Sequence, residues 1–319
     1  MAETRQWNRP QRVRAITAAR KPRSPVAQLR QWLGGSFAPY AYVAPFYVIF
    51  FAFFAYPVAY SFFVSLQHWS GIGPMRYVGL GNYSFVLSDN YWWDAVATTA
   101  ILWLMVMPLG TAFSLLLAVA WNRVRFRWRN VSLVLYVLPA AISIVAVSVV
   151  FRILYDQTAG PIDVVLGAMH LHAIPWLTST TWSKPAVALV RLWESVGLGA
   201  LFFSAALQNI SHEIYDAAAV DGAGPVRQFF HITLPLVTGT IVFLTVVGTI
   251  AVLGMFAEPQ LITSDGGPGD STTTLGLYLY HMVQGLDFGT ASAVSFLMTI
   301  LMMVVSVMLF MSARRWTSQ

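Results

Sequence analysis

The chain has 319 residues, of which 57% are hydrophobic and 10% are charged, and its formal net charge is +6. A soluble domain carries about a quarter charged residues, so this chain has too few charges to cover a water-exposed surface of its size. It contains no cysteine, which excludes disulfide frameworks, cysteine metal ligands and thiol nucleophiles. The composition therefore predicts an integral membrane protein.

The first 37 residues form a basic tail, rich in proline and polar residues and without helical periodicity, so we expect it to be disordered. Eight of the 19 lysines and arginines of the chain lie in this tail. A basic segment directly before an apolar span is typical of a cytoplasmic anchor, and this one is too long for the n-region of a cleavable signal peptide. The placement of the positive charge argues against nucleic acid and in favour of membrane lipid as its partner.

Six apolar segments follow, in a predicted membrane domain over residues 38–315. Each is long enough to cross a hydrocarbon core, which requires about 20 helical residues. None shows the period-two alternation of a membrane barrel, so we expect an all-α fold with six transmembrane helices. The predicted spans cover residues 39–66, 95–121, 130–151, 186–210, 236–257 and 288–313.

Positive charge predicts the orientation of these spans. If the N-terminus is inside, 15 lysines and arginines fall in the segments placed inside, whereas Arg76 and Lys184 lie in the loops placed outside. Loops with excess positive charge stay on the cytoplasmic side. We therefore expect both termini, and the loop over residues 210–235, to be cytoplasmic.

That loop has the signals of a compact helix-turn-helix. Ser211 is a good N-cap, and Glu213 lies in the first turn, where an acidic residue suits the helix dipole. Asp221 and Gly222 predict the end of the helix, because glycine adopts the left-handed conformation of a C-terminal cap. After a turn at Gly224 and Pro225, a second short helix is predicted over 226–232, ending before Pro235.

Residues 213–223 read Glu-Ile-Tyr-Asp-Ala-Ala-Ala-Val-Asp-Gly-Ala, and this stretch resembles the "EAA" loop of binding-protein-dependent ABC importer permeases. Tyr56-Pro57, the stretch 79–83, and 263–268 with the threonines after it are similar to the maltose and glycerol-phosphate branch of that family. The resemblance implies a type I ABC importer permease bundle. Two departures are Asp216, where the family has Glu, and Ser211, where it has Pro.

In that family the loop contains a coupling helix that docks on an ATPase subunit. The resemblance assigns that role to Glu213, Tyr215, Asp216, Ala217, Ala218, Asp221, Gly222 and Ala223. It also implies a second homologous permease, an ATPase dimer, an extracellular or periplasmic solute-binding protein, and a bacterial inner membrane. This chain has no Gly-Lys-[Ser/Thr] sequence, so ATP and magnesium are expected on the partner ATPase, and no catalytic residue or cofactor is expected here.

Arg191 and Glu194 lie within the fourth predicted span, where ions are costly unless they are paired or face water. Three residues apart on a helix, they can pair with each other. We expect Glu194 to lie beside a translocation cavity, and Arg191 to lie either there or at the outer interface. Glu258 lies either on the same pathway or at the membrane surface. In similar permeases, substrate contacts follow the tryptophan that Trp193 resembles, and the end of the fifth span lies opposite the fourth across the pathway. With this resemblance, the predicted substrate-pathway residues are Arg191, Trp193, Glu194, Ser195, Met255, Phe256 and Glu258.

The solute is predicted to be a sugar or an oligosaccharide, with glycerol-3-phosphate or a related diester as the alternative. An ion-coupled secondary transporter is the alternative class, and it would require several buried carboxylates or broken helices at mid-membrane depth. A membrane-embedded enzyme would cluster His, Asp and Glu at one face, and here the acidic residues are scattered. His170 and His172 are the one close histidine pair, and we expect them to be solvated rather than to bind a metal.

Overall fold

The computed structural model describes residues 38–123 and 129–317. The predicted basic tail and the arginine-rich residues 124–128 lie outside these ranges. Of the described residues, those up to Ala59 form one compact unit, and those from Tyr60 onward form a second.

The first unit is helical. Helix α1 covers Ala38–Phe50, a π-helical turn covers Phe51–Ala55, and α2 (Tyr56–Ser65) begins directly after it. Phe50 stacks on Phe46 and on Phe54 one turn either side, with ring centroids 6.1 and 5.2 Å apart. Most of these aromatic side chains are exposed, as expected of a helix whose solvent is lipid.

The second unit opens with a folded stretch where the sequence predicts only a loop. A short antiparallel pair joins β1 (Gln67–His68) to β2 (Arg76–Tyr77), and α3 covers Gly81–Ser88. The buried side chain of Asn82 donates hydrogen bonds of 2.8 Å to the carbonyls of Ser65 and Gln67. This amide therefore fixes the end of α2 against α3.

Three long helices dominate the second unit: α4 (Asn90–Arg123), α8 (Ser183–Gln208) and α15 (Phe288–Thr317). Helix α4 is longer than the predicted span 95–121. Helix α8 packs against α4 and against α5 (Arg129–Ala141), and its approach to α5 requires Gly197, because a Cβ there would lie 1.6 Å from the carbonyl oxygen of Tyr136.

The third predicted span is not one helix. Helix α5 (Arg129–Ala141) and α6 (Ile144–Leu154) meet at 97°, so the prediction of a single helix over 130–151 is wrong. Pro139 removes one helical hydrogen bond, and Ser143 adopts φ −59° and ψ 127°, outside the helical region. Arg152 lies in the last turn of α6 and therefore belongs with Arg76 and Lys184 in the count of charges at that end.

Helix α7 covers Pro161–Ala168. Several helical segments follow α8, and the last of them is the fifth span. These are α9 (His212–Val220), α10 (Pro225–Gln228), a π-helical turn over Phe229–Thr233, α11 (Leu234–Leu236) and α12 (Thr238–Leu253). The second helix of the loop was predicted to end before Pro235, and that is wrong. The helical path from α10 continues through α11 and bends by 63° into α12.

Both π-helical turns precede a proline in the same way. Phe51–Ala55 is followed by Tyr56-Pro57, and Phe229–Thr233 is followed by Leu234-Pro235. Proline lacks an N–H and its ring clashes with the carbonyl four residues earlier in an α-helix. A wider turn just before the proline relieves both problems, so the helix continues where an α-helical pattern would stop.

The chain ends with α13 (Ala257–Ile262), a 3₁₀ turn over Pro268–Asp270, α14 (Leu275–Gln284) and α15. Among the described residues, four helices are long and apolar enough to cross a membrane, and the count reaches six if each of the two bent pairs is one span. The predicted all-α membrane fold is confirmed, with the difference that two of its six spans are bent.

Candidate functional site

Helix α9 starts and ends as the sequence predicts. The Ser211 hydroxyl accepts a hydrogen bond of 3.2 Å from the backbone N–H of Glu213, which is an N-cap. At the other end, Gly222 has φ +79°, and the N–H of Ala223 donates to the carbonyl of Ala218 at 2.8 Å. A side chain at Gly222 would strain this left-handed turn, so glycine sets the length of the helix.

Helix α9 contains no buried residue, and the predicted coupling residues divide between its two sides. Tyr215, Ala218 and Ala223 are half-buried on the side that faces the rest of the chain. The exposed side carries small and acidic residues, together with Val220, which is 88% exposed. The coupling residues on that exposed side are Glu213, Asp216, Ala217, Asp221 and Gly222.

Hydrogen bonds tie α9 to the helical segment that follows it; residues 212–236 are called the α9–α11 segment below. The Tyr215 hydroxyl lies 2.9 Å from the Thr233 hydroxyl. Gln228 donates from its amide to the carbonyl of Ala223 at 3.0 Å and to that of Tyr215 at 3.4 Å. Gln228 and Thr233 were not among the predicted residues, because nothing local marks a polar side chain 13 or 18 residues away as a partner.

The charged residues of the predicted pathway meet in one cluster. The Arg191 guanidinium contacts Glu194 at 2.8 Å, on the same face of α8, and Glu258 of α13 at 3.6 Å. Glu258 is only 4% exposed, so its side chain is buried within the chain beside Arg191. Burial raises the pKa of the Glu258 carboxyl, and the positive charge of Arg191 opposes that shift.

Arg191 and Ser195 also line a cavity of about 170 Å³ between α4, α8 and α12. Arg191 therefore lies beside a cavity between three helices. The α4 wall has small residues that sequence reasoning missed, although small residues one turn apart in an apolar helix are a signal for close packing. They are Gly110, Thr111 and Ser114.

The remaining predicted pathway residues have different surroundings. Met255 is buried among the side chains that join α4, α8 and α12, and its carbonyl accepts a hydrogen bond from Thr274. Trp193 packs on Phe151 of α6, and Phe256 stacks on Tyr280, with both ring pairs 5.3 Å apart. Trp193 and Phe256 are 44% and 41% exposed, so each leaves aromatic surface for a ligand. Met255 has a packing role instead.

A buried threonine network holds the residues that follow α12; residues 257–284 are called the α13–α14 segment below. The Thr263 hydroxyl lies 2.6 Å from that of Thr272 and donates to the carbonyl of Pro259. Thr99 of α4 accepts from the N–H of Leu275 at 2.9 Å. Across to the loop before α4, Tyr278 donates to Asp89 at 2.8 Å; burial and that carboxylate raise the pKa of the phenol.

Among the described residues, no group of three or more His, Asp and Glu side chains lies close enough to hold a metal ion. His170 and His172 belong to no such group.

The family model for "Binding-protein-dependent transport system inner membrane component" matches residues 110–319. The lactose transport system permease protein LacF of Rhizobium radiobacter is 32% identical over 86% of this chain and 93% of its own length. The sulfoquinovosyl glycerol transport system permease protein SmoG of Agrobacterium fabrum is 33% identical over 88% and 92%.

Among solved structures, a chain of a bacterial alginate ABC transporter in complex with an alginate pentasaccharide-bound periplasmic protein has a TM-score of 0.78, covers 91% of this chain and 98% of its own, and is 22% identical. That likeness shows a shared fold. With the helical architecture, the EAA-type loop and the family match together, the chain belongs to the binding-protein-dependent transport system inner membrane component family, the permease subunits of ABC transporters.

Proposed function

We propose that this chain forms half of the translocation pathway of a bacterial ATP-driven importer for a sugar or an oligosaccharide. Membership of a binding-protein-dependent family supports an importer and does not support the ion-coupled alternative. The sugar assignment is supported by relatives that are named for lactose and for a glycosylated glycerol. Sequence identity and fold do not specify the solute or the transport mechanism further. The remaining argument therefore rests on the residues of this chain.

The observation that carries the proposal is the exposed surface of α9. A nine-residue helix with no buried residue would not remain bare in an assembled protein, and its small side chains permit close approach of a partner. Asp216, Ala217 and Asp221 lie on that exposed side. We assign it to contact with an ATPase subunit, one of two that bind ATP and magnesium.

The proposed pathway is the cavity between α4, α8 and α12, with Arg191 and Ser195 on its wall. A second, homologous permease would supply the other half, and a solute-binding protein would deliver the sugar. ATP binding would favour one arrangement of the two permeases and hydrolysis the other, so the site would open to each side in turn.

The charge distribution supports an inner-membrane topology with both termini and α9 in the cytoplasm. The absence of cysteine makes this orientation testable, since a single introduced cysteine would be the only thiol of the chain that a labelling reagent can modify. Cysteine at Val220, which is 88% exposed, should react with a membrane-impermeant maleimide only in inside-out vesicles. Cysteine at Leu286, which is 53% exposed before α15, is the matched control and should react only in right-side-out vesicles. The reverse pattern would overturn the topology.

Contact with the ATPase is tested in the same variants. A cysteine at Ala217 or Val220 should cross-link to the nucleotide-binding subunit of the co-purified transporter, and one at Leu286 should not. Uptake of radiolabelled sugars by proteoliposomes, together with ATPase activity stimulated by the loaded binding protein, tests transport itself. Failure of all sugars to stimulate ATPase activity would overturn the sugar assignment.

A further inference from the structure

The charge of the solute is left open by the relatives. Lactose is uncharged, whereas a sulfoquinovosyl group carries a sulfonate, and both relatives are about equally similar to this chain. Identity at that level does not distinguish the two. The charged side chains on the proposed pathway do, because a permanently anionic sugar has to find a cation wherever it leaves water.

Among the described residues that line the cavity between α4, α8 and α12, Arg191 is the one with a positive charge. Its guanidinium is already engaged by two carboxylates, Glu194 at 2.8 Å and Glu258 at 3.6 Å. Glu258 is buried and Glu194 is partly buried, with side chains 5% and 13% exposed, and neither belongs to the lining of the cavity. In such surroundings charge pairs are screened less than in water, so the guanidinium is held firmly by its neighbours.

An anionic sugar that approached Arg191 would meet two negative groups within 4 Å of the guanidinium. With both carboxylates ionised the cluster carries one net negative charge, and with one protonated it is neutral. In neither state does it have a positive charge to offer. A carboxylate, sulfonate or phosphate would therefore lose its hydration without gaining a counter-ion, and like charges juxtaposed in a binding site disfavour the wrong partner strongly.

We propose that the cluster of Arg191, Glu194 and Glu258 makes this half of the pathway select uncharged sugars and exclude sugars that carry a carboxylate, sulfonate or phosphate. The inference rests on the proposed function and adds the chemical class of its solute. Arg191 and Ser195, which line the cavity, can still bond to the hydroxyl groups of a neutral sugar, because guanidinium N–H groups donate and a serine hydroxyl oxygen accepts. The two carboxylates beside Arg191 neutralise its charge, and a neutral sugar needs no counter-ion.

The test compares a neutral oligosaccharide with the matching uronate oligosaccharide, which has the same ring and a carboxylate. Binding to the assembled transporter in nanodiscs is measured by saturation-transfer NMR, without the binding protein, so that the selectivity of that protein does not enter. We expect transfer to the neutral sugar and none to the uronate. In the double variant Glu194→Gln, Glu258→Gln the guanidinium is released, and we expect the preference to shift toward the uronate by at least about tenfold.

The variant Asp94→Asn is the matched control. It removes one carboxylate from an exposed position near the start of α4, outside the cluster, and should leave the preference unchanged. If the double variant fails to assemble, the comparison of the two sugars on the unaltered transporter still decides the question.

Equal binding of the uronate by the unaltered transporter would overturn the charge selection while leaving the importer intact. Absence of binding by both sugars, with ATP-driven uptake of the neutral one retained, would also overturn it, since the cluster would then not be where the solute binds. Loss of all sugar uptake would instead count against the proposed function.

Discussion

The two segments attached to the ends of α12 are built in opposite ways. The α13–α14 segment places four threonines at 2% exposure or less and ties them to backbone and hydroxyl partners, including the Tyr91 hydroxyl of α4 and the Met255 carbonyl just after α12. The α9–α11 segment contains a single buried side chain, that of Thr233, and α9 itself has none. The α13–α14 segment is stabilised by its own buried hydrogen bonds. The α9–α11 segment is exposed, as expected of a surface that a partner covers.

This difference separates stability from coupling. Substitutions in the α13–α14 segment should reduce the stability of the folded protein, because buried polar groups lose their hydrogen-bond partners. Substitutions on the exposed side of α9 should leave folding intact and be measured as loss of transport. Four variants test that separation, from the largest expected effect to the smallest.

Gly276→Ala should destabilise the α13–α14 segment most. Its Cβ would lie 2.6 Å from the carbonyl oxygen of Met255 and 2.7 Å from that of Gly254, both of which are backbone atoms. We expect a loss of about 2 to 3 kcal/mol in the free energy of unfolding, measured by thermal denaturation of the purified transporter. Gly239→Ala, where a Cβ would meet nothing within 4 Å, is the control and should be neutral or slightly stabilising. An equal loss in both variants would contradict the close approach.

Ala217→Trp should abolish coupling without unfolding the chain. The position is exposed on α9, so the indole can be accommodated in the isolated subunit but not against an ATPase. We expect uptake to fall by at least about tenfold, equivalent to about 1.4 kcal/mol, with an unchanged melting temperature. Ala217→Ser is the conservative control. Normal uptake by the tryptophan variant would mean that this side of α9 is not a contact surface.

Thr274→Val should cost about 1 to 2 kcal/mol of stability. It removes the hydroxyl that donates to the Met255 carbonyl and accepts from the N–H of Leu277, and it leaves both groups buried. The control is Thr299→Val, an exposed hydroxyl that bonds only to the carbonyl one turn earlier in α15. The same measurement of unfolding applies, and indistinguishable losses would remove the special role of the network.

Tyr215→Phe should have the smallest effect, about 0.5 to 1 kcal/mol, since one hydrogen bond to Thr233 is lost. Global unfolding will barely register it. Amide hydrogen exchange within residues 212–236 should become faster, and a cycle with Thr233→Val should give a coupling energy of the same sign. Unchanged exchange would show that the two parts of the α9–α11 segment are held together by other contacts.

Local signals predicted the parts of the fold that depend on few residues. The apolar spans, the cap at Ser211 and the stop at Gly222 each follow from neighbours within a turn or two. The 97° break after Pro139 did not follow, because a proline in an apolar helix is compatible with a kink, a break or a π-helical turn, and both π-helical turns of this chain show the third outcome.

Pairing over long distance was predicted only in part. Arg191 and Glu194 are three residues apart, and their contact was expected from helical spacing. Glu258 is far along the chain, and its burial against Arg191 depends on how α13 folds back after α12, which no local pattern specifies. Gln228 and Thr233 were missed for the same reason, since their partners are distant in the sequence. The small residues at 110–114, in contrast, are a local signal for close helix packing that the prediction did not use.

The π-helical turn before Pro235 has a consequence for motion. Because it keeps the chain helical through the proline, the α9–α11 segment joins α12 through one non-helical residue, Val237, with no flexible loop between them. Helix α12 has 16 residues, about 24 Å of rigid rod, and it ends beside Met255 and Glu258. A displacement of α9 would therefore be transmitted along α12. The far end of α12 would then move Glu258, one of the two carboxylates that restrain Arg191.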